Sequence, residues 1–236
     1  MSPRTLLAIF AHPDDETSGA GGTIARYVRE GEQAFVVTAT RGELGALGTN
    51  GMVIKREDLP QVREEELRGV LALYGAQAPI FLDYRDQEVK DAPYEELVGK
   101  IVAAMRKVQP DIVITFGPRG ISDHVDHIAL HKAAVDAFHR YRRFASIEPK
   151  LYFVAIPAEI VKAVDLQLDG VETQPTHMVD ISETVKFKLQ ALRSYKSQQD
   201  AQDLAKMFEE WGVKSEHFHR AWPNISQENR LVRGLW

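Results

Sequence analysis

The stretch that decides the fold lies near the start of the chain and reads Leu6-Leu7-Ala8-Ile9-Phe10-Ala11-His12-Pro13-Asp14-Asp15-Glu16. Its six apolar residues do not alternate with polar ones, which is typical of a strand that is covered on both faces of a sheet. Pro13 ends the strand because it has no amide hydrogen for a central ladder. The polar side chains therefore lie at the carboxyl end of a buried strand, where open α/β sheets place their functional sites.

Further along the chain, apolar runs alternate with segments of helical periodicity. The predicted strands are Leu6–Ala11, Ala34–Thr40, Ile80–Leu82, Asp111–Phe116 and Leu151–Ile156, and the predicted helices are Thr23–Arg29, Gln61–Tyr74, Tyr94–Val108 and His127–Arg143. This alternation predicts the α/β class, with a Rossmann-like, doubly wound, mostly parallel sheet and helices on both faces. In the common strand order 3-2-1-4-5, the loops after strands one and four share one crevice.

The pattern is weaker after residue 156. We expect an extended piece at His177–Val179, a helix at Glu183–Ser194 capped by Ser182, and another helix at Leu204–Trp211. His217 and His219 lie in a segment that resembles a turn, and we expect them to be solvated.

Because the chain has 236 residues, of which 44% are hydrophobic, it can bury one large core. We predict a single domain over residues 1–236.

Composition excludes several classes of protein. A net charge of −5 without a block of lysine and arginine argues against nucleic acid or an anionic membrane as the main partner. The chain contains no cysteine, so disulfides and thiolate metal ligands are excluded. No apolar run approaches the ~20 residues of a membrane span, and the first run is too short for a signal peptide. We expect a cytoplasmic protein.

Two clusters of acidic and histidine side chains follow the first and fourth predicted strands. They are His12, Asp14, Asp15 and Glu16 in the first cluster, and Asp123, His124, Asp126 and His127 in the second. Two histidines and one carboxylate, with one coordination position left open, form a common hydrolytic zinc site. Either cluster alone is weak evidence for a metal. Because we expect the two strands to be neighbours, the clusters together predict a metal centre in the shared crevice.

The glycine-rich segment Arg41–Gly51 is expected to form a mobile wall of that crevice, with a solvated turn as the alternative.

These motifs resemble those of a known family, the LmbE-like or PIG-L N-acetylglucosaminyl deacetylases. The specific matches are His12-Pro13-Asp14-Asp15-Glu16 with Gly21-Gly22-Thr23, and His124-Val125-Asp126-His127. Supporting matches cover most of the chain, at Thr40–Gly45, Arg63–Leu67, Phe81–Asp86, Thr115–Gly120, Asp180–Ser182 and Lys188–Gln198. Two positions depart from the family pattern: Val125 replaces a common proline, and Tyr195 replaces the usual histidine before x-Ser-Gln.

The resemblance implies a zinc-dependent amide hydrolase that acts on a small N-acetylated amino sugar or its conjugate. It implies that His12, Asp15 and His127 bind the zinc ion and that Asp14 is the general base. Fe²⁺ and other divalent metals accept the same ligands. Homo-oligomers are frequent in the family, so we expect a homo-oligomer.

The resemblance also assigns roles to residues outside the ligand set. His124 would stabilise the tetrahedral intermediate in its protonated form and supply a proton to the leaving amine, with Asp126 holding it. Arg63 matches an arginine that contacts the substrate.

Two other readings of the sequence stay open. In a non-haem iron oxygenase, His12 and Asp14 would belong to a facial triad with a distant histidine, which requires Asp14 as a metal ligand. In a non-catalytic Rossmann-type binding module, the glycines Gly19, Gly21 and Gly22 would approach a phosphate, although the G-x-G-x-x-G pattern is not satisfied.

Overall fold

The computed structural model describes residues 3–224 and 231–236. Within them the strands are β1 (Thr5–Phe10), β2 (Gln33–Thr38), β3 (Ile80–Phe81), β4 (Ile112–Thr115), β5 (Lys150–Ala155), β6 (His177–Asp180), β7 (Ser215–Trp222) and β8 (Val232–Arg233). The α-helices are α1 (Asp15–Arg29), α2 (Leu59–Tyr74), α3 (Tyr94–Val108), α4 (Val125–Tyr141), α5 (Ala158–Ala163), α6 (Val185–Ser194) and α7 (Gln199–Glu210). Short 3-10 helices lie at Val89–Asp91 and Gly170–Thr173.

The strands form one sheet in the order β3-β2-β1-β4-β5-β7-β6-β8. Strand β1 pairs in parallel with both β2 and β4, so that Leu7 lies opposite Phe35 on one side and Val113 on the other. The predicted order 3-2-1-4-5 is therefore confirmed for the first five strands. Residues 6–11 are fully buried, as the uninterrupted apolar run predicts. The carboxyl ends of β1 and β4 consequently meet at one edge of the sheet.

The helices form two groups. Helix α3 packs on α4, whereas α1, α2, α6 and α7 pack among themselves. Right-handed crossovers place such groups on opposite faces of a doubly wound sheet. Within residues 3–224 and 231–236, no helix is both long enough and apolar enough to cross a membrane.

Beyond β5 the sheet becomes antiparallel, because β7 runs against both β5 and β6. The turn predicted around His217 and His219 is wrong: both side chains are half-buried in β7. The strand is difficult to recognise because one of its inward-facing residues is the charged Glu216. That carboxylate accepts hydrogen bonds from the backbone amides of Gly22 (2.9 Å) and Thr23 (2.7 Å) and is thereby accommodated in the interior.

Several helices begin earlier in the sequence than predicted. Helix α1 starts at Asp15 and not at Thr23, because the intervening glycines belong to a closely packed helix and not to a loop. A Cβ atom on Gly22 would lie only 2.6 Å from Ile181 Cδ1, so glycine is needed for this contact. Helix α4 starts at Val125 instead of residue 127. The acidic and histidine clusters therefore extend into the first turns of two helices. In the last third, α7 starts at Gln199, five residues early, and Thr184 replaces Ser182 as the cap of α6.

Candidate metal centre

Three potential ligand atoms converge where β1 and β4 end. His12 Nδ1 lies 3.1 Å from His127 Nε2, and Asp15 Oδ2 lies 3.4 Å from each of these nitrogens. A tetrahedral cation with bonds of about 2.0–2.1 Å needs ligand atoms about 3.3–3.4 Å apart. The side chains of His12, Asp15 and His127 therefore fit one face of a tetrahedral metal site, and they leave the fourth position open.

The far nitrogens of both imidazoles are used by the protein. His127 Nδ1 lies 2.9 Å from the carbonyl oxygen of Gly120, to which it donates. His12 Nε2 lies 3.1 Å from Asp86 Oδ1 and 3.3 Å from Asp126 Oδ2. With a metal bound, each ring would carry its proton on the far nitrogen and direct the lone pair of its near nitrogen toward the metal. A carboxylate or carbonyl behind a metal-binding imidazole is the usual support for such a ligand.

Charges around the three atoms favour a cation. Burial by itself lowers the pKa of His12, but hydrogen bonds to Asp126, Asp15 and Asp86 outweigh it and raise this pKa well above its ordinary value. Burial by itself raises the pKa of Asp15, yet the neighbouring His127 and His12 bring it well below the ordinary range. The carboxylate of Asp15 is therefore ionised, as a metal ligand must be.

Two other sets of side chains share His12 and have ligand atoms within 4.8 Å of one another: His12 with His124 and His127, and His12 with Asp86 and Asp126. The carboxylates of the second set are already occupied. Asp86 accepts a hydrogen bond from the amide of Leu44, and Asp126 accepts bonds from the amides of Gln87 and Val89. All three distances among the ligand atoms of His12, Asp15 and His127 are 3.1–3.4 Å, close to the spacing in a tetrahedral site, so we assign the metal to this triad.

Asp14 lies beside the triad and differs from its neighbour Asp15. Its backbone has φ 104° and ψ −27°, and its amide donates to Glu16 Oε2 at 3.0 Å. Burial raises the pKa of the Asp14 carboxyl well above its usual range, the charge of Arg63 opposes this shift, and nearby carboxylates add to it. Asp14 is thus a stronger base than an ordinary aspartate, while Asp15 is a weaker one.

Arg63 lies behind Asp14. Its side chain is buried, Nη2 bonds to Asp14 Oδ2 at 2.8 Å and to the carbonyl of Pro13, and Nη1 bonds to the carbonyl of Gly42 at 3.1 Å. In this arrangement the guanidinium orients the Asp14 carboxylate. Contact of Arg63 with the substrate stays a prediction.

His124 is half-buried at the start of α4, and its ring centroid lies 4.7 Å from that of His12 and 4.8 Å from that of His127. Its Nδ1 accepts a hydrogen bond from the amide of Asp126 at 3.2 Å, which leaves Nε2 to carry the proton. Burial lowers the pKa of His124, and positive charge on the other two histidines lowers it further. This disfavours the protonated form expected from the sequence. The Asp126 carboxylate contacts His12 and does not hold the His124 ring.

Three buried residues that sequence reasoning left without a role support the site. Asp86, within the matched segment Phe81–Asp86, orients His12. Glu16 holds the amide of Asp14, and Tyr195 donates to Glu16 Oε1 at 2.6 Å. The tyrosine that departs from the family pattern is therefore fully buried behind the site. Only its position three residues before Gln198, within a matched segment, could have indicated this role.

Residues 41–51 are anchored to the rest of the fold. The amide of Gly48 donates to the carbonyl of Ser197 at 3.1 Å, and Thr49 Oγ1 donates to the carbonyl of Lys196 at 2.8 Å. Together with the bonds from Leu44 to Asp86 and from Arg63 to Gly42, these contacts place the segment as a wall beside the site and not as a solvated turn, and its mobility stays a prediction.

Comparison with known proteins identifies the family. Residues 7–138 match the family model described as PIG-L: GlcNAc-PI de-N-acetylase, which is more than half of the chain. The chain belongs to the PIG-L family. The resemblance seen in the sequence motifs is thereby confirmed.

Several relatives carry the name 1D-myo-inositol 2-acetamido-2-deoxy-alpha-D-glucopyranoside deacetylase, and two of them are described here. The protein from Rhodococcus erythropolis is 39% identical over 58% of this chain and 54% of its own length. The protein from Mycobacterium sp. (strain KMS) is 30% identical over 84% of this chain and 75% of its own length. Among solved structures, N,N'-diacetylchitobiose deacetylase from Pyrococcus horikoshii has a TM-score of 0.71 and 23% identity, covering 93% of this chain and 84% of that one. This last likeness shows a shared fold.

The two alternative readings of the sequence are not favoured. A facial triad requires Asp14 as a ligand, but its Oδ2 pairs with Arg63, and Asp15 supplies the oxygen between the two histidines. A phosphate-binding module requires a free helix N-terminus, but the first turn of α1 carries the carboxylates of Asp15 and Glu16.

Proposed function

We propose that this chain is a zinc-dependent N-deacetylase that removes the acetyl group from an N-acetylglucosamine-type sugar or conjugate. The observation that carries the proposal is the set of three mutually facing ligand atoms on His12, Asp15 and His127, with the basic carboxylate of Asp14 beside them. The names of the two relatives support the reaction and the class of substrate.

A zinc ion at the triad would polarise the acetamide carbonyl and lower the pKa of water toward about 7. Asp14 takes the proton of the attacking water, and its raised pKa suits this task. Arg63 fixes the carboxylate of Asp14 from behind, and Glu16 fixes its backbone amide. The same carboxyl then returns the proton to the leaving amine.

His124 supplies a hydrogen bond to the oxygen that gains negative charge. Because its Nδ1 accepts the amide of Asp126, its Nε2–H is the available donor, and the neutral ring suffices. Removal of one such donor in other enzymes costs about 3–4 kcal/mol of transition-state stabilisation. Asp126 is a positioning residue for His12 and, through its backbone, for His124.

The experiment that tests the proposal is acetate release from N-acetylglucosamine, its short oligomers and its simple glycosides. Metal-stripped protein is compared with protein reconstituted with zinc, and with Fe²⁺ under exclusion of air to identify the preferred metal. We expect release that requires metal. Absence of release from every substrate by protein that holds one zinc per chain would contradict the proposed reaction.

Three further statements are predictions from the sequence. We propose that residues 1–236 act as a single domain, that the protein is cytoplasmic, and that it forms a homo-oligomer. Sedimentation of the purified protein tests the last of these.

A further inference from the structure

A cavity of about 520 Å³ lies beside the candidate metal centre. Asp14, Asp15 and His127 form part of its wall, so the cavity is continuous with the atoms proposed to carry out the reaction. Its volume lies within the range of roughly 300–1,000 Å³ that is typical of small-molecule sites. The space therefore extends the site beyond the reacting group.

The remainder of the wall is mainly apolar. It includes Phe116, Val154, Ile160, Leu166, Leu204 and Phe208, which come from the ends of β4 and β5, from α5 and the segment after it, and from α7. Hydroxyl groups placed against such a wall lose water without gaining hydrogen bonds, whereas alkyl or aryl groups gain from leaving water.

The charged groups of the wall do not suit an anion. Lys188 Nζ donates to Glu216 Oε1 at 2.6 Å and to the carbonyl of Ser18 at 2.7 Å, so its charge is already paired. It is the sole lysine or arginine among the described residues of the wall. Asp200 and Glu216 add negative charge there. Away from the proposed metal, a carboxylate or phosphate on the ligand would therefore find no unpaired lysine or arginine among the described residues of the wall.

We propose that this cavity binds an apolar group carried by the substrate, an alkyl or aryl chain next to the N-acylated amino sugar. The proposal rests on the proposed deacetylase function and specifies its substrate class. Such a group has two possible sources, the aglycone at the anomeric carbon or the acyl chain on nitrogen. Both share the apolar chemistry that the wall selects.

The test compares matched substrates with the zinc-loaded enzyme. One arm uses the methyl and hexyl glycosides of N-acetylglucosamine, and the other uses methyl glycosides of N-acetyl- and N-hexanoylglucosamine. We expect kcat/KM to rise about tenfold or more for the six-carbon chain in one arm, and that arm identifies the source. Equal kcat/KM values within both arms would overturn the proposal while leaving the deacetylase reaction intact.

Variants of the wall test its location. Leu204→Gln is expected to reduce the preference for the hexyl chain at least about threefold, because it introduces a polar group into the wall. Ile160→Gln provides a second such variant if the first does not fold. Leu73→Gln is the matched control, since Leu73 is also a half-buried helical leucine that packs on the core, but it lies outside the cavity wall. We expect the control to keep the wild-type preference.

A binding measurement separates this proposal from the reaction. Hexyl and methyl glucosides carry no amide, so calorimetry with them reports binding of the aglycone chain apart from the reaction. If the aglycone is the source, we expect at least about tenfold tighter binding of the hexyl compound. Acetate release, together with equal binding of the two glucosides and equal kcat/KM values in both substrate arms, would overturn the cavity proposal only. If no substrate releases acetate, the proposed deacetylase function is overturned. The substrate class proposed here is then overturned as well, whatever the result of the binding measurement. Leu204→Gln could also change the sedimentation of the protein while leaving its preference for the hexyl chain unchanged. That result would assign the cavity to contact with a second copy of the chain and would overturn the proposal.

Discussion

Two buried polar clusters contact helix α1, and they differ in how their polar atoms are satisfied. In the cluster of Lys188 and Glu216, donors meet acceptors: the ammonium bonds to the carboxylate at 2.6 Å, and the carboxylate also accepts the amides of Gly22 and Thr23. In the cluster of His12, Asp15 and His127, three potential ligand atoms face one another at 3.1–3.4 Å, and on His12 a proton competes with a metal for the same lone pair.

The difference indicates what each cluster is for. Lone pairs that face one another out of water are costly unless a cation binds between them. Under the proposed function, a metal ion completes the cluster of His12, Asp15 and His127, whereas the Lys188–Glu216 pair is complete within the fold. Burial and charge are similar in the two places, and the orientation of donors and acceptors distinguishes a site from a structural ion pair.

The largest expected effect is on turnover. Asp14→Asn removes the base but none of the three facing ligand atoms, so kcat should fall about 10²–10⁴-fold while zinc stays bound. Steady-state acetate release and elemental analysis of the same sample measure both quantities. Wild-type turnover in the zinc-loaded variant would show that Asp14 is not the base.

Breaking the structural cluster should affect stability and leave metal binding intact. Lys188→Met leaves the Glu216 carboxylate buried without its partner, which is expected to cost about 3–5 kcal/mol in the free energy of unfolding. Denaturant titration measures the cost. Lys206→Met is the control, because Lys206 lies 3.9 Å from Glu210 in an exposed pair and should cost less than about 1 kcal/mol. Equal losses in both variants would remove the distinction between the clusters.

A smaller effect, on zinc affinity, is expected from a change to Asp86, which lies behind the metal ligand His12. Asp86→Asn weakens the support of His12 Nε2 and should lower zinc affinity about 10–100-fold, as measured by competition with a chelator. Asp83→Asn changes a nearby exposed aspartate that pairs with Arg41, and it should leave the affinity unchanged. Unaltered affinity in Asp86→Asn would mean that this carboxylate does not orient the ligand.

The smallest effect concerns a buried group outside both clusters. Burial, followed by the charges of Arg220, Lys150 and His219, lowers the pKa of His177 to about 4. Since the unfolded side chain has a pKa near 6.5, the unfolded chain binds this proton first, and stability is lost as the pH falls from about 6.5 to about 4. The melting temperature of His177→Gln should therefore fall less than that of wild type as the pH is lowered from about 6.5 to about 4. Identical pH profiles would contradict the lowered pKa.

The sequence predicted the parallel half of the fold and the residues that meet at its edge. The uninterrupted run of residues 6–11 identified the central strand, and the strand order brought the clusters of His12 and His127 together. The ligand set rested on the family resemblance as well, because spacing does not reveal that Asp15, and not Asp14, turns toward the histidines.

Other features depend on tertiary contacts that local patterns do not carry. The helix start at Asp15 was missed because the glycines that permit contact with Ile181 resemble a loop. Strand β7 was missed because the carboxylate of Glu216 is buried through partners more than 20 residues away. Likewise, the Asp126 carboxylate contacts His12 and not the ring of His124, which is only two residues away in the sequence. This contact follows only from the folded arrangement.

Metal content measures the central claim most directly. Metal-stripped wild-type protein and the His127→Ala variant are incubated with one equivalent of zinc, desalted and analysed for zinc per chain, with Lys188→Met as the control for a buried charge that lies outside the centre. We predict about one zinc per chain for wild type and Lys188→Met, and a strong loss for His127→Ala. Full occupancy in His127→Ala would contradict the assignment of the three facing atoms as a metal centre.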